Sequence, residues 1–121
     1  MSNSEKNEYI TDGTDAGFIK DVVEPSKDVP VLVDFWAPWC GPCKTLKPML
    51  ERLVAEQDGQ VRLVKLNTED HPGIASQLRV MAIPTVFAFK DGKPIDMFKG
   101  ALPESKVQEF IDKQKAAFTA T

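Results

Sequence analysis

Apolar and polar positions recur along this chain with two different periods, and the switches between them mark out its elements. Phe18, Ile19, Val22 and Val23 follow one another at helical spacing after Thr14 and Asp15, either of which can cap a helix, and Pro25 ends it. Val31–Ala37 (VLVDFWA) is a β-branched, apolar stretch of strand length, which predicts a strand covered on both faces. From Gly41 to about Gln57, the residues Leu46, Met49, Leu50, Leu53 and Val54 fall on one stripe and predict a helix. Pro48 inside it removes the donor to the Lys44 carbonyl and predicts a kink, and Asp58-Gly59 closes the helix. A second buried strand follows at Val61–Leu66, then a short helix at Pro72–Gln77.

The pattern then changes. Thr85–Phe89, the pair Asp91-Gly92 and Ile95–Phe98 predict a hairpin, because Asp-Gly supplies the positive φ angles of a tight two-residue turn. Pro103 opens a last helix that turns Val107, Phe110, Ile111 and Phe118 inward. The order is βαβαβαββα, with parallel units first, an antiparallel pair after them and helices on both faces. Residues 1–8 (MSNSEKNE) are polar and predict a flexible tail ahead of a single domain at 9–118.

Composition narrows the function classes. The chain has 121 residues, enough for one core and too few for two. A 42% hydrophobic share supports that core, and 27% charged residues argue against a disordered chain. No apolar run approaches the roughly 18 residues of a spanning helix, so no membrane role is expected. The start, Met1–Ile10, lacks the basic-then-apolar order of an export signal, and a cytoplasmic location is expected. The net charge of −3 resides in residues 1–15, where Glu5, Glu8, Asp12 and Asp15 face Lys6; the remainder carries 14 residues of each sign. With no basic cluster, a nucleic-acid partner is not expected.

Two cysteines and one histidine, His71, cannot complete a four-ligand zinc shell alone, so no metal is expected. The cysteines lie in Trp39-Cys40-Gly41-Pro42-Cys43, between a buried strand and a helix. A first cysteine there meets unsatisfied N–H groups and the positive helix end, which stabilise its thiolate; the second lies one turn further in and is less exposed. Pro42 suits the first turn, where its missing donor has no consequence. Two other readings stay open. A purely structural disulfide closing four residues stabilises by only about 2 kcal/mol and would be reduced in the cytosol. Half a zinc ribbon lacks its second pair. Asp34, between Leu32 and Trp36 in an apolar strand, is the next candidate. Burial raises a carboxyl's pKa and lets it accept a proton near neutrality, although the same spacing fits a carboxyl buried for structural reasons. Trp36 reads as core, and His71 as a loop or helix-cap residue.

WCGPC after VLVDFWA, with VKLN at Val64–Asn67, IPT at Ile83–Thr85 and FKDG at Phe89–Gly92, carries a resemblance in register over about residues 9–115. The chain resembles the thioredoxin family. The resemblance implies the thioredoxin fold of the α/β class, a three-layer α/β/α arrangement with a mixed five-stranded sheet and four helices. It also implies protein-disulfide reductase activity, with Cys40 attacking, Cys43 resolving and Asp34 moving the proton of the inner cysteine. Lys65 matches a lysine near that aspartate; an ammonium that reaches solvent is its other reading. The Ile83-Pro84 bond is implied to be cis and to pack beside the cysteines, leaving the preceding backbone free to pair with an extended substrate. Trp39, Gly41, Pro42, Ile83, Pro84, Gly100 and Ala101 would form a flat apolar docking surface. No bound cofactor is expected, only a redox-active Cys40–Cys43 disulfide recharged by thioredoxin reductase and acting on disulfide-containing proteins. Gly41-Pro42 matches the reducing members, whereas oxidases and isomerases of the superfamily often carry histidine before the second cysteine. The stretch from Gln77 to Lys113 is also similar to the amino-terminal domain of bacterial tetratricopeptide co-chaperones. That implies an alternative, a domain of a longer protein that binds unfolded clients or a chaperone and retains redox activity.

Overall fold

Alternation along the central strands explains the layering. The computed structural model describes residues 7–119, so the tail expected over 1–8 lies outside the described residues except for Asn7 and Glu8. Five strands, β1 (Ile10–Asp12), β2 (Val31–Trp36), β3 (Arg62–Asn67), β4 (Thr85–Lys90) and β5 (Lys93–Lys99), form one sheet in the order β1-β3-β2-β4-β5. β1 and β2 run parallel to β3, whereas β4 runs antiparallel to β2 and β5. Side chains of successive strand residues leave on opposite faces. Leu32 therefore packs with Leu46, Leu50, Val107 and Ile111, from helices α1 (Gly41–Ala55) and α3 (Glu104–Thr119). Val31, Val33 and Phe35 meet Phe18, Val22 and Ala75 on the other face, under helix α2 (Pro72–Gln77) and the segment between β1 and β2. The result is the three-layer α/β/α arrangement with a mixed five-stranded sheet and four helical segments. β1 escapes the periodicity because it has three residues, none of them fully buried.

The first helical segment departs from its expected form. Ile19–Val23 is a π-helical turn, closed by Glu24 N–H donating to the Ile19 carbonyl at 2.9 Å, and a 3₁₀ turn follows at Pro25–Lys27. In that wider turn Phe18 and Val22 face the sheet while Ile19 is 64% exposed, so Ile19 is not a core residue. Thr14 does cap locally, its Oγ1 accepting from Gly17 N–H at 2.8 Å. Asp15 caps a different helix: its carboxylate accepts from Gly73 N–H (2.8 Å) and Ile74 N–H (3.0 Å) in the first turn of α2. His71 stands at the N-cap of α2 and accepts from Asp15 N–H through Nδ1 at 3.4 Å. Phe118 is only half-buried, with the Lys90 ammonium 5.6 Å from its ring centre.

Two turns close the end of the sheet remote from the cysteines. Asp91 (φ 52°) and Gly92 (φ 77°) both adopt the left-handed region that the hairpin requires. Ser26, fully buried, holds that tip through its carbonyl to Asp91 N–H (2.9 Å) and its Oγ to Gly92 N–H (2.8 Å). Gly59 (φ 90°) follows α1 where a Cβ would come within 2.8 Å of the Tyr9 ring.

Candidate active site

β2 delivers the chain to the opposite end of the sheet, where Cys40 becomes the N-cap of α1 with extended backbone (φ −88°, ψ 111°). Cys43 lies one turn into the helix, and the two are joined as a disulfide with a Cα–Cα distance of 5.3 Å. Cys40 Sγ accepts from Cys43 N–H at 3.2 Å, one of the otherwise unsatisfied donors of a helix start. No acidic residue occupies the first turn of α1 to oppose a thiolate there. A helix terminus in partly buried surroundings stabilises an anion by up to about 2 kcal/mol. The expected difference in exposure between the cysteines is nearly absent in this oxidised form, since Cys40 is 4% exposed and Cys43 3%.

Asp34 is buried on the face of β2 that carries Leu32, beneath α1, and its Oδ1 has no hydrogen-bond partner. Burial pushes its pKa from 3.8 up to about 7; Lys65 and Lys47 pull it down and Glu51 pushes it further up. The carboxyl is therefore close to half ionised at neutral pH. Lys65 stands opposite Asp34 in the parallel ladder of β2 and β3. Its ammonium, however, lies 2.6 Å from Glu51 Oε2 and 3.4 Å from Asp12 Oδ1, and its side chain is only 11% exposed. It neither reaches freely into solvent nor salt-bridges Asp34. Burial opposes the Lys65 charge, but Glu51 and Asp12 outweigh it and raise the pKa.

Trp36 is half-buried at the margin of the core rather than within it. Its ring carries the Lys47 ammonium 5.4 Å from its centre. Trp36, Ala37, Pro38, Cys43, Lys44 and Lys47 line a cavity of about 210 Å³.

The antiparallel return of β4 brings the other candidates to this end. Thr85 pairs with Phe35 and with Lys99, so Ile83-Pro84 and Gly100 both adjoin the end of β2. The Ile83-Pro84 bond is cis, and Gly100 N–H donates to the Pro84 carbonyl at 2.9 Å. Trp39 is 67% exposed, with its indole N–H bonded to Glu69. Gly41, Pro42 and Ala101 are exposed and Ile83 is half-buried, while Pro84 is buried and forms floor rather than surface. The sequence reading missed Glu69, Met81 (88% exposed), Lys47 and Glu51. Lys47 and Glu51 had a signal: they follow Cys43 at four and eight residues, on the cysteine's own side of α1. Glu69 sits in a polar loop that gives none.

A cysteine pair closed as a disulfide across the first turn of a helix can exchange two electrons with another disulfide. The molecule is a dithiol–disulfide oxidoreductase. A family model described as Thioredoxin matches residues 10–113. "Thioredoxin 1" of Synechococcus elongatus is 45% identical over 100 residues, covering 83% of this chain and 92% of that protein. "Thioredoxin M-type, chloroplastic" of Spinacia oleracea is 43% identical over 110 residues, covering 91% of this chain and 60% of that one. "Thioredoxin" of Staphylococcus haemolyticus is 42% identical over 100 residues, covering 83% and 92%. The chain belongs to the thioredoxin family, and its enzymatic class is the thioredoxin-type disulfide reductase. Among the described residues no helix is long and apolar enough to cross a membrane, and no cluster of three or more His, Cys, Asp or Glu could hold a metal ion.

Proposed function

We propose that the protein reduces disulfides of partner proteins, with Cys40 as the attacking and Cys43 as the resolving thiol. The observation that carries this division is Cys40 at the N-cap of α1, with its sulfur on the Cys43 amide. In the reduced enzyme the Cys40 thiolate attacks one sulfur of the substrate disulfide. That S–S bond breaks, a mixed disulfide forms, and the first substrate sulfur leaves and takes a proton. Asp34 then accepts the proton of Cys43, whose burial disfavours the thiolate. The Cys43 thiolate attacks Cys40 Sγ, the mixed disulfide breaks, and the second substrate sulfur leaves to be protonated. Two electrons have passed to the substrate, and the Cys40–Cys43 disulfide has re-formed.

Trp39, Gly41, Pro42, Ile83, Pro84, Gly100 and Ala101 serve as the docking face. Pairing of β4 begins at Thr85, so the Ile83 backbone lies outside the sheet ladder and is available to an extended substrate strand. Lys65 acts through its neighbours rather than by contact with the reacting sulfurs. Thioredoxin reductase returns the two electrons, and a reducing compartment, the cytoplasm, is where such a dithiol would be kept in its working form. Insulin reduction coupled to thioredoxin reductase tests this reading with wild type, Cys40→Ser and Cys43→Ser. Turnover is expected only in the wild type. Catalytic turnover by Cys40→Ser would sink the assignment, and protection of unfolded clients by that variant would favour the co-chaperone setting instead.

A further inference from the structure

The charges behind the cysteines do not pair as strand register alone would have them. Asp34 and Lys65 face each other across β2 and β3, yet Asp34 Oδ1 is buried without a partner while the Lys65 ammonium is held elsewhere. Of its two holders, Glu51 on α1 is nearer (2.6 Å) and 29% exposed, whereas Asp12 on β1 is at 3.4 Å and 81% exposed. Water and salt screen Asp12 far more, so Glu51 is the anchor. The remaining surroundings of Asp34 offer no substitute: Val86 is its partner on β4, and α3 contributes Val107 and Ile111 to the same core. α1 also carries Lys44, Lys47 and Arg52; Lys47, whose charge bears on Asp34, rides over the Trp36 ring, and Arg52 pairs with Glu56 and Glu104. In the reduced state the two thiols complete the titrating set.

Resting on the reading of Asp34 as proton acceptor, we propose that Glu51 is a positioning residue: by holding the Lys65 ammonium on α1 it keeps that cation from closing onto Asp34. The physical reason is one of competition. An ammonium salt-bridged to a buried carboxylate fixes it as an anion and makes it a weaker base. A weaker base accepts a proton from a buried thiol less readily. With Lys65 tethered to Glu51, the aspartate keeps a proton affinity close to neutrality, which the Glu51 charge itself reinforces.

Two readouts distinguish the anchoring role of Glu51 from the role of Asp34 as proton acceptor. The Asp34 carboxyl is titrated by ¹³C NMR in reduced wild type, Glu51→Gln, Glu51→Asp and Asp12→Asn, and mixed-disulfide resolution is followed by stopped flow against pH in the same proteins. Glu51→Gln is expected to move the Asp34 midpoint toward acid by about one pH unit or more, as an opposite charge becomes available and a like charge is lost. Asp12→Asn moves it less, and Glu51→Asp restores it at least in part. In a Lys65→Met background the Glu51→Gln shift shrinks, because the cation to be released is gone. A midpoint unmoved by Glu51→Gln, or a shift of equal size with and without Lys65, overturns the anchoring role. If the midpoint moves as expected while the resolution profile does not follow, Glu51 positions Lys65 but Asp34 is not the base.

Discussion

Replacing Asp34 by Asn should make the oxidised protein more stable, by an amount that grows with pH. In the folded chain burial holds this carboxyl's pKa near 7, against an ordinary value of 3.8. Between those two values the unfolded chain has already released its proton while the native state still binds it. Fewer protons are bound on unfolding, so native stability falls as pH rises. The contribution is fully present below pH 3.8, declines through the interval, and is gone above about 7. At about 1.36 kcal/mol per pKa unit, the interval from 3.8 to about 7 amounts to about 4 kcal/mol. Asp34 is 2% exposed, so little of this is lost to solvent screening. Asn carries no charge at any of these pH values, and whatever its amide gains or lacks in hydrogen bonds enters as a constant offset. Urea unfolding of oxidised wild type and Asp34→Asn from pH 4 to 9 isolates the effect, because other titrating groups cancel in the difference. The variant's advantage should rise with a slope approaching 1.4 kcal/mol per pH unit and level off above pH 7. A difference that stays flat, or that shrinks with pH, would refute the burial argument and with it the proton affinity assigned to this side chain.

The same substitution should leave formation of the mixed disulfide nearly intact and slow its resolution; equal slowing of both steps in stopped flow would remove Asp34 as the base for Cys43. Cys43→Ser should trap the mixed disulfide as a covalent adduct visible by mass spectrometry, whereas Cys40→Ser should give no adduct. Gly59→Ala should cost about 1–3 kcal/mol in urea unfolding at pH 7, since it forces a positive φ and drives a methyl group against the Tyr9 ring. A cost near zero would mean that Tyr9 swings aside freely.

The layered sheet is legible because every strand except the three-residue β1 keeps one period long enough to count. β2 has six residues, five of them fully buried, and its apolar run announces a strand covered on both sides. The first helical segment escapes the pattern because Phe18, Ile19, Val22 and Val23 satisfy a 3.6-residue period as well as they satisfy the wider turn they adopt. Asp15 looked like a cap for the nearer helix, and only the fold reveals that the start of α2 lies closer to its carboxylate. At the active site, the cysteines and Asp34 stood out as residue types unusual for their places. The partners of Lys65 did not, because an ion pair spanning 14 residues leaves no mark in a linear pattern. Trp36 reads as core from its strand, yet it sits on the last position of β2, where cover from α1 gives way to the cavity beside Cys43.

The reversal of direction between β2 and β4 divides the molecule into two working ends. Cys40, the Ile83-Pro84 bond and Gly100 gather at one, because β2 finishes where β4 starts and β5 finishes. The Asp91-Gly92 turn and the approach to Val31 occupy the other, tied down by Ser26 and remote from any step of the chemistry. Labels, tethers or peptide insertions placed at that hairpin tip should therefore answer only to folding, and engineering could proceed there without retuning the thiols.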